Sequence, residues 1–101
     1  MVNILLVCAQ GMSTSLLVKK MEAAAEKMAL EATIWAVGNG QIQDEYAKAD
    51  IILLGPQIRF RKKSVEEQIN GHCPVAAIEM VDYGTINGEA VLKKALAIIN
   101  Q

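Results

Sequence analysis

The chain has 101 residues, 52% of them hydrophobic, 21% charged and 4% aromatic, and its ten Lys and Arg nearly cancel eleven Asp and Glu for a formal net charge of −1. A chain of roughly 100 residues can close one aliphatic core without disulfides or a structural metal, which predicts one domain over residues 1–101 and excludes a two-domain enzyme with an interdomain cleft. The balanced charge lacks the basic field that nucleic-acid or anionic-membrane binding uses, so neither partner is expected.

The longest apolar run, Ile4 to Ala9, has six residues, far short of the roughly 20 needed to span a bilayer. Met1-Val2-Asn3 carries no positive charge ahead of that run, unlike a signal peptide. The expectation is a cytosolic protein with no direct membrane insertion. Cys8 and Cys73 match no zinc or CxxC spacing and in a reducing compartment are expected as free thiols. No metal or cofactor is called for.

In chain order, Asn3 to Cys8 is an apolar run of strand length. Gly11, Ser13, Thr14 and Ser15 supply turn and cap residues, and Leu16, Leu17, Met21, Ala24, Ala25 and Met28 then recur at helical spacing. Ala32 to Val37 is a second strand closed by Gly38-Asn39-Gly40, and Gln41 to Ala49 holds a brief helix or an irregular crossover. Asp50 to Leu54 is a third strand ending at Gly55-Pro56. Ser64-Val65-Glu66-Glu67 has capping-box spacing for a following helix, with Gly71 placed to stop it. Pro74 opens a fourth strand, Val75 to Glu79. A loop through Tyr83, Gly84 and Asn87-Gly88 leads to a final helix that buries Val91, Leu92, Ala95, Leu96, Ile98 and Ile99. Strands apolar throughout and alternating with helices imply a parallel sheet covered on both faces. The expected fold is therefore α/β, a doubly wound four-stranded parallel sheet in the order 2-1-3-4, with its ligand site beyond the C-terminal ends of strands 1 and 3.

Cys8 ends strand 1 and opens a loop, Ala9-Gln10-Gly11-Met12-Ser13-Thr14-Ser15, that becomes a helix N-terminus. The free N–H groups and positive dipole end of that helix suit a phosphate and favour the thiolate form of Cys8, while Gly11 allows close backbone approach. The hydroxyls of Ser13, Thr14 and Ser15 either donate to the phosphate or cap the helix. Cys73, beside His72 and Pro74 at the opposite edge of the sheet, is expected to be inert.

Competing small α/β sites fail on residues. A nucleotide P-loop needs a lysine that is missing here. A response-regulator phospho-acceptor needs an aspartate at the end of strand 3, where Leu54-Gly55 stands. A cysteine phosphatase needs arginine after five intervening residues beyond its cysteine to clamp the phosphoryl group, and that place holds Thr14. A carrier is favoured over a hydrolase, with a low-molecular-weight-type cysteine phosphatase as the alternative enzyme and a flavodoxin-like binding module as a third possibility. Outside the loop, Arg59, Arg61, Lys62 and Lys63 surround Phe60 and form either a solvated edge or a docking patch for a partner. Asp82 reads as a turn residue, with a general acid of the kind cysteine phosphatases use as the alternative because it lies within reach of the crevice, and Trp35 and Tyr46 read as packing residues.

Cys8 through Leu17 (CAQGMSTSLL), Lys19-Lys20-Met21, the segment Leu53 to Ile58 (LLGPQI) and Tyr83-Gly84 before the last helix resemble the IIB component of the bacterial sugar phosphotransferase system, lactose/cellobiose (chitobiose) type. The resemblance covers essentially the whole chain. It implies that Cys8 accepts a phosphoryl group from a phosphohistidine of a cognate IIA protein. Cys8 then passes the group, as phosphocysteine, to a sugar carried by a membrane IIC transporter, a β-linked disaccharide such as cellobiose, chitobiose or lactose. Ala9 to Ser15 would cradle the phosphate, and the near-neutral aliphatic domain would work as a monomer that docks transiently.

Overall fold

The computed structural model describes residues 1–9 and 14–100. Strand β1 (Val2–Cys8) lies inside the sheet, hydrogen-bonded in parallel to β2 (Ala32–Gly38) on one side and β3 (Ile51–Leu54) on the other, and β3 pairs in parallel with β4 (Val75–Ala77). The sheet order is β2-β1-β3-β4, the expected doubly wound arrangement. Ile4, Leu5, Leu6 and Val7 are all fully buried because helices cover both faces, which is why this strand is apolar throughout instead of alternating.

Alternate side chains of β1 feed two cores. Ile4 and Leu6 pack with Leu17, Met21, Ala24 and Ala25 of α1 (Ser15–Lys27) and with Val91, Leu92 and Ala95 of α5 (Gly88–Ile99). Leu5 and Val7 pack on the other face with Ile42 of the single turn α2 (Ile42–Glu45) and Val65 of α3 (Lys62–Gln68). Burying each such aliphatic side chain contributes about 1.5–3 kcal/mol. Two apolar residues expected on the buried stripe of α1 are exposed. Leu16 is offset from that stripe by more than a quarter turn, and Met28 follows the end of the helix, where Ala29 takes a left-handed φ of 53°. Leu96, Ile98 and Ile99 of α5 are half-buried at the margin of the first core.

The crossover after β2 is a short helical turn at Asn39–Gln41, α2, and another turn at Tyr46–Lys48. Trp35 ties it to β2 by donating Nε1–H to Glu45 Oε1 at 2.9 Å, and Tyr46 packs edge-on against His72. Both aromatic residues are thus packing residues.

The differences of more than one residue from the sequence expectation lie at α3, β4 and the segment after β4. Helix α3 begins at Lys62, so Ser64 lies inside it and forms no capping box. A 3₁₀ segment, Pro56–Arg61, runs straight into α3, and the Lys62 N–H is already bonded to the Arg59 carbonyl, leaving a serine cap nothing to satisfy. α3 ends at Gln68, and the chain then reverses through Asn70 (φ 53°) and Gly71 (φ 68°), whose N–H returns to the Glu66 carbonyl at 3.2 Å. β4 stops at Ala77, opposite the last residue of β3, and Glu79 opens a short helix, α4 (Met80–Gly84), where a loop was expected.

Candidate active site

All four strands are parallel, so their C-terminal ends lie along one edge of the sheet. Chain direction diverges there between β1 and β3, the place where doubly wound folds form a crevice. Cys8 is the last residue of β1, paired with Gly38 of β2 and one position beyond the Val7–Leu54 pair with β3. Its side chain is buried. Gly55 makes room for it: the Gly55 N–H bonds to the Val7 carbonyl at 2.8 Å, and a Cβ at Gly55 would stand 3.4 Å from Cys8 Cβ and 3.1 Å from Gln57 Oε1.

Thr14 closes the site from the other side. It has no exposed surface, and its Oγ1 lies 3.9 Å from Cys8 Sγ. It occupies the N-cap position of α1, and its carbonyl accepts the Val18 N–H at 2.9 Å, yet its side chain makes no capping hydrogen bond. The Thr14 side chain thus faces the sulfur and does not cap its own helix. The contact also brings the N-terminus of the 13-residue α1 to Cys8, and no acidic residue stands in the first turn of that helix. An anion on the sulfur would meet the positive end of the helix dipole. Ala9 and Ser15 flank the site and are exposed. Gln10, Gly11, Met12 and Ser13, also assigned to the phosphate cradle, lie outside the described residues. No group of three His, Cys, Asp or Glu among the described residues could hold a metal.

Arg59 and Arg61 fall in the 3₁₀ segment after β3, and Lys62 and Lys63 in the first turn of α3, at the same end of the sheet as Cys8. Arg61 is half-buried and reaches the Ser64 hydroxyl at 3.4 Å, and Lys62 pairs with Glu66 at 3.8 Å. Phe60, between the arginines, is 79% exposed. Met80 and Val81 of α4 and Leu16 of α1, which follow the ends of β4 and β1, are exposed as well. Periodicity concealed these exposed residues, because Leu16 reads as a core residue and α4 as a loop.

Asp82 is neither a turn residue nor free to act at the crevice. It lies buried in α4, and its carboxylate accepts from Lys94 Nζ of α5 at 2.6 Å, with Glu79 completing the clamp at 2.5 Å. These two hydrogen bonds, that to Asp82 the stronger, raise the Lys94 pKa. Cys73 sits just before β4, at the opposite end of the sheet. Burial, then the charge of Asp50, pushes its thiol up to about 11. It is therefore protonated at neutral pH and a poor nucleophile, as expected for a bystander.

Fold and site together define a doubly wound α/β domain whose first strand delivers a cysteine to a helix N-terminus. The sequence profile of the family "PTS system, Lactose/Cellobiose specific IIB subunit" matches residues 3–94, and the chain belongs to that family. It is thus a sugar-specific IIB component of the lactose/cellobiose type, a phosphotransferase-system transferase component. The oligo-β-mannoside-specific EIIB component of Bacillus subtilis (strain 168) is 41% identical, the alignment covering 100% of both chains. The cellobiose-specific EIIB component of Lactococcus lactis subsp. lactis (strain IL1403) is 40% identical over 96% of this chain and 95% of that one. The solution structure of the cellobiose-specific IIB protein of Borrelia burgdorferi superposes with a TM-score of 0.80 at 43% identity, covering 98% of this chain and 92% of that one. The lactose-specific IIB domain of Streptococcus pneumoniae shares the fold, with a TM-score of 0.85 at 17% identity and 96% of each chain covered.

Proposed function

We propose that Cys8 is the covalent phosphoryl carrier of this IIB component. The observation that carries the reading is the position of its sulfur at the end of β1, beside Thr14 and the N-terminus of α1. A thiolate at Cys8 attacks the phosphorus of a phosphohistidine on a IIA protein. The S–P bond forms as the N–P bond breaks, and the electron pair returns to the imidazole. In the second transfer a hydroxyl of a sugar held by a IIC transporter attacks the same phosphorus, the S–P bond breaks, and the hydroxyl proton goes to solvent. The segment 9–15 binds the phosphate chiefly through backbone N–H groups. Catalysis here is positioning and charge stabilisation. Thr14, where a cysteine phosphatase would place arginine, leaves water a poor acceptor, so the phosphate is held for the sugar.

Residues 1–101 act as one domain that docks transiently, as a monomer, on its two partners at the cytosolic side of the membrane. No helix among the described residues is long and apolar enough to cross a bilayer. The sugar is a β-linked disaccharide of the cellobiose, chitobiose or lactose kind. Relatives named for oligo-β-mannoside, galactose and cellobiose are each 40–41% identical to this chain, which supports placing sugar choice on the transporter.

Incubation with phosphoenolpyruvate, the general phosphotransfer proteins and a IIA protein, followed by intact mass and peptide fragmentation, tests this reading. One phosphoryl group on Cys8 is expected. An adduct on another residue, or none, overturns it, and rapid aryl-phosphate hydrolysis would point to the phosphatase instead.

The exposed Leu16, Phe60, Met80 and Val81, at the same end of the sheet as Arg59, Arg61, Lys62 and Lys63, supply the docking face in this reading. Exposed apolar side chains together with the cations of residues 59–63 fit a partner whose face is apolar and acidic. Charge reversal of Arg59, Lys62 and Lys63 together is expected to slow phosphorylation by IIA about tenfold or more at low salt, with the gap closing as salt rises. An unchanged low-salt rate would remove the cluster from the docking face.

A further inference from the structure

We infer that the Thr14 hydroxyl acts on the sulfur, donating a hydrogen bond to Cys8 Sγ whenever that atom is a thiolate and thereby easing departure of the phosphate from it. This rests on the carrier reading of Cys8. An N-cap threonine ordinarily turns its oxygen toward the N–H groups of the first helical turn. Thr14 makes no such bond, and its Oγ1 faces Sγ at 3.9 Å with both residues buried. While the thiol is neutral either atom can donate, but an ionised sulfur has no proton and only the threonine can supply one.

Burial disfavours a thiolate, as Cys73 shows: burial, with the charge of Asp50, pushes that thiol up to about 11. Cys8 has to ionise in an environment at least as dry, so donors to its sulfur have to offset the lost water. The effect differs between ground and transition state. In phosphocysteine the sulfur is bonded to phosphorus and carries little charge. As the sugar hydroxyl attacks, the S–P bond breaks with its electron pair on Sγ, the O–P bond forms, and the hydroxyl proton passes to solvent. Negative charge therefore develops next to a donor already in place, and an interaction stronger in the transition state than before it accelerates transfer. Thr14 thus lies against the reacting atom.

The test uses a Cys73→Ser background, so that Cys8 is the thiol followed, and measures the pH dependence of iodoacetamide alkylation for the Thr14 protein, Thr14→Val and Thr14→Ser. Valine keeps the shape and removes the donor, and is expected to raise the alkylation midpoint by about one pH unit. That is roughly tenfold slower alkylation at any pH below the midpoint. Serine is expected to restore it, and phosphate transfer from Cys8 to sugar should slow with valine and recover with serine. A threonine that merely packs would leave the midpoint where it was. An unchanged midpoint in Thr14→Val, or a Thr14→Ser protein that titrates like valine, overturns the inference. Should valine prevent folding, Thr14→Ala removes the same donor with less bulk and is held to the same outcome. Protein that shows the alkylation shift yet takes up no phosphate on Cys8 overturns the carrier reading while upholding the hydrogen bond.

Discussion

Cys8→Ser is expected to yield a folded protein that passes no phosphate to sugar. Serine and cysteine differ by one atom of similar directionality, and Cys8 is packed beside Gly55 and Thr14, a space the smaller oxygen enters without a clash. The fold cost is therefore small, about 1 kcal/mol. The chemical cost is large. A serine hydroxyl is almost entirely protonated at neutral pH, whereas a thiol near a helix N-terminus ionises within reach of physiological pH. Removing the nucleophile of a covalent mechanism costs on the order of 10⁴-fold or more in rate. Sugar phosphorylation in a reconstituted system, read together with a thermal melt, separates the two effects. A serine protein that sustains transfer near the parent rate would show that Cys8 is not the carrier. A Cys73→Ser protein, altered at the other end of the sheet, serves as the matching control.

Among the glycines of the described residues, Gly88→Ala should be the most damaging substitution. Gly88 is buried at the start of α5, where that helix crosses α1. A Cβ there would stand 2.5 Å from the Met21 nitrogen and 2.6 Å from Lys20 Cβ, and closer still to the Lys20 carbonyl carbon. The obstacles include helix backbone, which cannot swing aside as a flexible side-chain end can, so α5 has to move off α1. Overpacking of this kind costs about 3 kcal/mol, out of a total near 5–15 for a domain of this size. The melting temperature should fall by roughly 10–20 °C. The comparison is Gly84→Ala in α4, where a Cβ meets nothing within 4 Å and little change is expected. Equal melting temperatures for the two variants would show that α1 and α5 do not approach as closely as described.

The two substitutions mark different kinds of legibility. Cys8 announced itself in one dimension, because a thiol that ends an apolar strand and precedes a glycine–hydroxyl loop is a local pattern, and the rule that sites gather at the switch point of a doubly wound sheet then placed it. Gly88 looked like the end of a loop. Its importance comes from Lys20 and Met21, some 67 residues earlier in the chain, and contact at that separation leaves no periodic trace. Ser64 shows the reverse error: local capping-box spacing was present, but the preceding Pro56–Arg61 segment had already supplied the helix start. Asp82 likewise carried no local sign of its partner, since Lys94 lies on the next helix.

Alternation of apolar strands with helices, the balance of charge and the cysteine loop were determined by the sequence alone, because each depends on neighbours a few residues apart or on composition summed over the chain. Together they were sufficient for the sheet order. Tertiary structure decided which atoms meet: Thr14 turns to the sulfur instead of its own helix, Asp82 is bound to Lys94, Gly55 and Gly88 stand where a Cβ would collide, and Leu16, Phe60, Met80 and Val81 remain at the surface on the site's edge of the sheet. The physical reason is that hydrogen bonding, ion pairing and packing act over a few ångströms in space. Only the completed fold determines which distant residues come within that range.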